Sequence, residues 1–129
     1  MALRLTLKPH ERVIIGGAVI KNGESRTELF ISNEVPVLRE PDVLSPGSVQ
    51  TPCERVYLAI QLMYVDPEKS ETHIETFRAL VADVLEAAPS CRLLIEDMVG
   101  LVGAGRLYQA LKSARALIAH EKELMKDVR

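Results

Sequence analysis

Arg4, Lys8, Arg12 and Arg39 are the side chains whose type and placement point most directly to chemistry, and that chemistry is phosphate neutralisation rather than bond-making. Up to Lys21 the chain carries four bases, Arg4, Lys8, Arg12 and Lys21, against one acid, Glu11. Residues 1–39 hold six Lys or Arg against four acids and sum to +2, whereas residues 40–129 hold ten against fourteen and sum to -4. The net charge of -2 therefore hides a basic head on an acidic body, a bias that steers a polyanion to one end of the molecule. With no Trp, two Phe and three Tyr, recognition by stacking bases on exposed rings is disfavoured. Phosphate contacts, base edges and strand backbone remain to carry any such binding.

No arrangement of residues reads as a catalytic or metal site. Gly100, Gly103 and Gly105 follow a helical pattern and precede Arg106, whereas a phosphate loop needs a strand before its glycines and a helix after them; they read as a helix break. His10, His73 and His120 are scattered, without a ligand partner at helical spacing. Glu96 and Asp97 are adjacent on a helix and point in different directions. Ser25, Ser45 and Ser48 lie in turns without a nucleophile elbow. Cys53 and Cys91 form no metal-binding spacing. Residues 1–6 lack the apolar run of a signal peptide, and no segment approaches membrane-spanning length. The expectation is a cytoplasmic, non-enzymatic protein with reduced thiols, no cofactor and no metal.

The elements that must position the cations are strands. Leu3, Leu5 and Leu7 alternate with Arg4, Thr6 and Lys8, the period of a half-buried strand. A turn at residues 8–11 leads to a second strand, Arg12 to Ile15, which Gly16-Gly17 interrupts as a bend or bulge would. Ala18 to Lys21 and Arg26 to Ser32 form a hairpin closed by Asn22-Gly23. Residues 35–39 read as a fifth strand, confined by Pro36 to an edge or a bulge.

Residues 41–51 form a Pro-containing linker. Thr51, Pro52 and Glu54 then announce a helix with a capping box, running to about Val65. Ser70 caps a second helix, with Ile74, Phe77, Val81 and Val84 on its apolar stripe. A third begins near Ser90. The last carries Leu107, Leu111, Ala114, Ile118, Met125 and Val128 on one face and ends in Lys126 and Arg129. Val56, Tyr57, Ile60, Met63 and Tyr64 make the richest apolar face for a partner helix, unless they pack on the other helices.

Over residues 3–43 the pattern Leu3-x-Leu5-Thr6, Glu11-x-Val13-Ile14-Ile15-Gly16 and Val35-x-Val37-Leu38-Arg39-Glu40 resembles the CsrA carbon-storage regulators. That resemblance implies an RNA-binding sheet with Leu5, Thr6, Lys8 and Arg39 at the contact edge, and allows an intertwined homodimer. The chain departs from the CsrA pattern at Leu7 and Leu38, where that family has a basic residue and a His. Over its whole length, from the opening residues 1–20 through Val35 to Glu40 and Tyr57 to Tyr64, it resembles the FlbT family of alphaproteobacterial flagellin regulators. This second resemblance implies binding to the 5′ untranslated leader of flagellin mRNA, control of its translation and decay, and a partnership with the flagellar regulator FlaF.

The sequence thus predicts an α+β protein: a basic β-lobe over residues 1–40, the linker, and a lobe of about four helices over residues 52–129. Arg4, Lys8, Arg12 and Arg39 would neutralise phosphates, and backbone at Leu5 and Thr6 would help read bases. The partner is mRNA, with neither DNA nor a membrane implied. The rival expectation is an adaptor whose helical lobe holds FlaF or flagellin.

Overall fold

A computed structural model describes residues 3–126 and is α+β, as the sequence predicts. It divides into two compact units, Met1–Val43 and Leu44–Arg129. The division falls within the Pro-containing segment, where two 3-10 turns, Glu40–Asp42 and Pro46–Ser48, each have a proline in their first positions.

The first unit holds strands β1 (Leu3–Leu7), β2 (Arg12–Ile15), β3 (Ala18–Lys21), β4 (Thr27–Ile31) and β5 (Val37–Arg39). They form two antiparallel sheets: β1 with β4, and a three-stranded sheet in the order β3-β2-β5. Leu5, Leu7 and Val13 are buried, with Ile15, Leu29, Ile31 and Val37 packed on them, so the inward leucines of β1 meet the inward valine of β2. The turn from β1 to β2 places Pro9 second and His10 third, and His10 takes the positive φ of 63° that such a turn needs at its third position.

The tight hairpin lies elsewhere than expected. Gly16 and Gly17, at φ of 57° and 89°, form the two-residue turn between β2 and β3, because a primed turn needs positive φ at both central residues. Asn22-Gly23 does not join a hairpin, since β3 pairs with β2 and β4 with β1. Instead the Asn22 amide donates to the carbonyls of Leu7, Lys8 and Ser25, and its Oδ1 accepts from Gly23 N–H and the Thr27 hydroxyl. The side chain knots the connection and leaves β4 free to return beside β1.

The second unit holds α1 (Pro52–Val65), α2 (Ser70–Ala87), α3 (Arg92–Gly103) and α4 (Leu107–Lys126). Thr51 accepts from Glu54 N–H at 3.2 Å and Glu54 accepts from Thr51 N–H at 3.1 Å, closing the expected capping box. Ser70 is the first residue of α2 rather than its cap, because the 3-10 turn Pro67–Lys69 feeds directly into the helix. The glycines end α3 as a helix break: Arg106 N–H bonds the Leu101 carbonyl and Gly105 N–H bonds that of Val102, around Gly105 at φ 77°. α1 packs along α2 and α4, and α4 along α3. Their core includes Val56, Ile60, Met63, Phe77, Met98, Leu111 and Leu117. Met125, expected on the apolar face of α4, is exposed at its end; Val128 and Arg129 lie outside the described residues.

Candidate nucleic-acid interface

Strand parity sorts the first unit's side chains into two sets. Leu3, Leu5 and Leu7 pair with Ile31, Leu29 and Thr27, so these six share the inner face of β1 and β4. Arg4 lies opposite Phe30 and Thr6 opposite Glu28, on the outer face. Lys8, next in phase on β1, and Arg26, next in phase before β4, are both exposed. Arg4 meets Glu28 at 3.0 Å, with both side chains largely in water; such exposed pairs contribute only about 0–1 kcal/mol, so a phosphate can compete for Arg4. The side chains of Lys8 and Arg26 have no ion-pair partner among the described residues.

Arg39 stands differently. Its Nη2 donates to the Thr6 carbonyl at 2.6 Å and meets the Glu11 carboxylate at 3.0 Å. Glu11 also accepts from the Lys8 N–H at 2.9 Å. That backbone bond, then the Arg39 hydrogen bond and charge, hold the Glu11 carboxyl below its ordinary pKa. One guanidinium thus ties β5 to β1 and to the turn that follows it. Arg12 lies directly across from Lys21 in the three-stranded sheet. Both are exposed, and such like-charged cross-strand pairs are unfavourable unless an anion sits between them.

Of the six residues singled out from sequence, Arg4, Thr6 and Lys8 come together on one face. Arg39 is bound to Thr6 from within the unit, the Leu5 side chain is core, and Arg12 belongs to the other sheet with Lys21. The sequence reading missed Arg26 and Phe30. The signal was present: inward Leu29 and Ile31 put residues 26, 28 and 30 in the outward phase.

The helical unit has its own candidate surface. The α1 face at Val56, Tyr57, Ile60 and Met63 is buried, and so is core rather than groove. Gln61 holds Leu44 by two bonds, accepting from its N–H at 2.8 Å and donating to its carbonyl at 3.0 Å. The open apolar surface lies between α2 and α3, which barely meet. It is a cavity of about 580 Å³ whose lining includes Phe77, Val81, Leu85, Val99 and one cation, Arg78. Cys53 and Cys91 are buried free thiols. Burial, and then the Glu121 carboxylate that accepts from Cys53 N–H, push both pKa values up, so neither is a thiolate nucleophile at neutral pH. Among the described residues no cluster of His, Cys, Asp and Glu could hold a metal, and no helix is long and apolar enough to cross a membrane.

The model of one family, described as flagellar protein FlbT, matches residues 3–125. The chain belongs to the FlbT family. Curated relatives agree along both units. The chain is 48% identical over 125 residues to a Bradyrhizobium diazoefficiens protein named probable flagellum biosynthesis repressor protein FlbT 1, covering 96% of this chain and 85% of that one. It is 38% identical to the Rhodopseudomonas palustris FlbT, covering 97% and 98%. To the Caulobacter vibrioides flagellum biosynthesis repressor protein FlbT it is 33% identical over 131 residues, covering 99% and 92%. No solved structure matches. Membership in FlbT thus spans strands and helices alike.

Proposed function

We propose that this chain regulates flagellum synthesis after transcription, by binding the 5′ untranslated leader of flagellin mRNA in the cytoplasm and controlling its translation and decay. It acts by occupancy and not by catalysis. The observation that carries this reading is the outer face of β1 and β4, where Arg4 and Lys8 stand exposed beside Thr6. Extended backbone with cations at alternate positions suits a single strand whose phosphates are held while its bases stay accessible. The names of the relatives, flagellum biosynthesis repressors, supply the flagellar setting. Arg4, Lys8 and Arg12 neutralise phosphates; Arg39 holds Thr6 and the β1 backbone in place for the RNA.

Fluorescence anisotropy with a flagellin leader RNA and a scrambled control, at two salt concentrations, tests this. Three phosphate contacts to a single strand predict a fall of log affinity with log salt at a slope of about -2, with the leader preferred. A flat salt response, or equal weak binding to both RNAs, counts against direct recognition.

The cavity between α2 and α3 supports a second reading, an adaptor. Its apolar walls and lone Arg78 suit an amphipathic helix that brings a carboxylate to that cation, as from FlaF or flagellin. Pull-down of either that depends on Arg78, and survives loss of Arg4 and Lys8, is its expected signature.

A further inference from the structure

Phe30 breaks the pattern of its own strand. On β4, Leu29 and Ile31 turn to the core while Thr27 pairs with Leu7, which leaves Glu28 and Phe30 outside. The Phe30 ring is 63% exposed, whereas Phe77, the other phenylalanine, is 3% exposed and core. A phenylalanine gives up its burial energy in such a place unless something covers it. Among the described residues no aromatic ring or cation does so. Arg4 is directly opposite, within about 5 Å at the Cβ atoms for such a cross-strand pair. Lys8 and Arg26 stand further along the same face, beyond Thr6 and Glu28, so one cation lies beside the uncovered ring and two more lie about 13 Å along the strands on one side of it.

An open ring on a strand face that also carries a row of cations is the arrangement by which proteins hold unpaired nucleotides: bases stack on the ring while basic side chains track the backbone. A partner protein helix is a poorer fit, since the face offers one apolar side chain among charged and polar ones. We propose that Phe30 is a stacking platform for a base of single-stranded RNA, with Arg4 at the adjoining phosphate and Lys8 and Arg26 holding the backbone further along the same face. The inference rests on the RNA-binding reading above and deepens it, naming the side chain through which the protein meets a base. It also revises the expectation from composition: few aromatics suffice if one of them is placed outside.

The chain contains no Trp, so Phe30→Trp introduces a single reporter at the site. With the flagellin leader RNA as probe, Phe30→Ala should lower affinity about tenfold, the loss of one base–ring stack, while the salt slope stays unchanged. Phe30→Trp should keep affinity within about twofold, and its emission should be quenched by the RNA but not by inorganic polyphosphate, which offers charge without bases. Because the ring is exposed, both variants should melt as the parent does. Parental affinity in Phe30→Ala, or emission unmoved by bound RNA, overturns the inference while leaving RNA binding intact. A parent protein that binds no leader RNA overturns the functional reading itself. Conversion of a parental dimer to a monomer by Phe30→Ala, seen by sedimentation, would make Phe30 a self-contact and overturn the stacking role.

Discussion

The two units close their interiors by different means. The helical unit buries a broad set of large side chains, from Val56 and Ile60 on α1 to Leu117 on α4, each with almost no exposure. Its polar devices, the Thr51–Glu54 box and the Gly105 turn, sit at helix ends. The β-unit has a thinner interior: Leu5, Leu7 and Val13 with four partly buried neighbours, and the paired Ile14 and Leu38, which are buried as well. There a polar clasp reaches across the structure, from Arg39 to the Thr6 carbonyl and the Glu11 carboxylate. Short strands form too little apolar core to fix their own arrangement, so a directed, charged contact supplies what helices obtain from area. The same thinness leaves the outer face of β1 and β4 without a packing duty, open to charge and to Phe30.

If this contrast is right, truncation should cost most among the helices. Ile60→Ala should destabilise the helical unit by about 2–5 kcal/mol, the range for emptying a packed aliphatic site. Tyrosine emission reports that unit alone, because Tyr57, Tyr64 and Tyr108 all lie on its helices. A urea midpoint unmoved by this change would break the comparison from its strong side.

Next in size is the clasp. Arg39→Ala should cost the β-unit about 1–2 kcal/mol, through loss of a charged hydrogen bond to backbone, with faster hydrogen exchange across β1 and β5. A fall in RNA affinity in that variant would then report a loosened site. Glu11 gives a pH test of the same clasp. Its carboxyl is held below the ordinary value by the Lys8 N–H and by Arg39, so its contribution is fully present above the unfolded pKa, about 4.3. It is lost as pH falls below that value through the folded one. Exchange protection of β1 should drop across this acid window in the parent and change less in Glu11→Gln.

Smaller again is the capping box. Thr51→Ala should cost the helical unit about 1 kcal/mol, visible in tyrosine-monitored unfolding, and should leave β-unit exchange unchanged. The smallest stability effect belongs to Arg4, whose pair with Glu28 is exposed. Arg4→Ala should change stability by less than about 0.5 kcal/mol, yet reduce the magnitude of the RNA salt slope by about 0.7, one phosphate contact. A large stability loss there would mean that the outer face carries packing after all.

The helices were legible because their signals are local. Thr51-Pro52-x-Glu54 marks a start, Asp66-Pro67 a stop, and Ile74, Phe77, Val81 and Val84 one stripe, all decided within a few residues of each other. β1 and β2 were legible for the same reason. The hairpin was misplaced because two glycine-containing dipeptides compete in this sequence, and turn propensity does not say which strand is the partner. Gly16-Gly17 meets the primed turn on both residues, while the Asn22 side chain is drawn into five hydrogen bonds with groups it could not be matched to beforehand.

The site divided along the same line. Alternation alone puts Arg4, Thr6 and Lys8 on one side of a strand, and that much the amino-acid order determined. It determined as well the basic head, the acidic body, and the family to which both belong. Only the tertiary structure decided that Arg39 reaches Thr6 and Glu11, that Arg12 stands with Lys21 on another sheet, and that Phe30 faces Arg4 in the open. The physical reason is that a strand fixes the direction of its own side chains by a period of two, but its neighbour is chosen by pairing between segments far apart in the chain. That choice sets which cation meets a carboxylate and which ring is left uncovered.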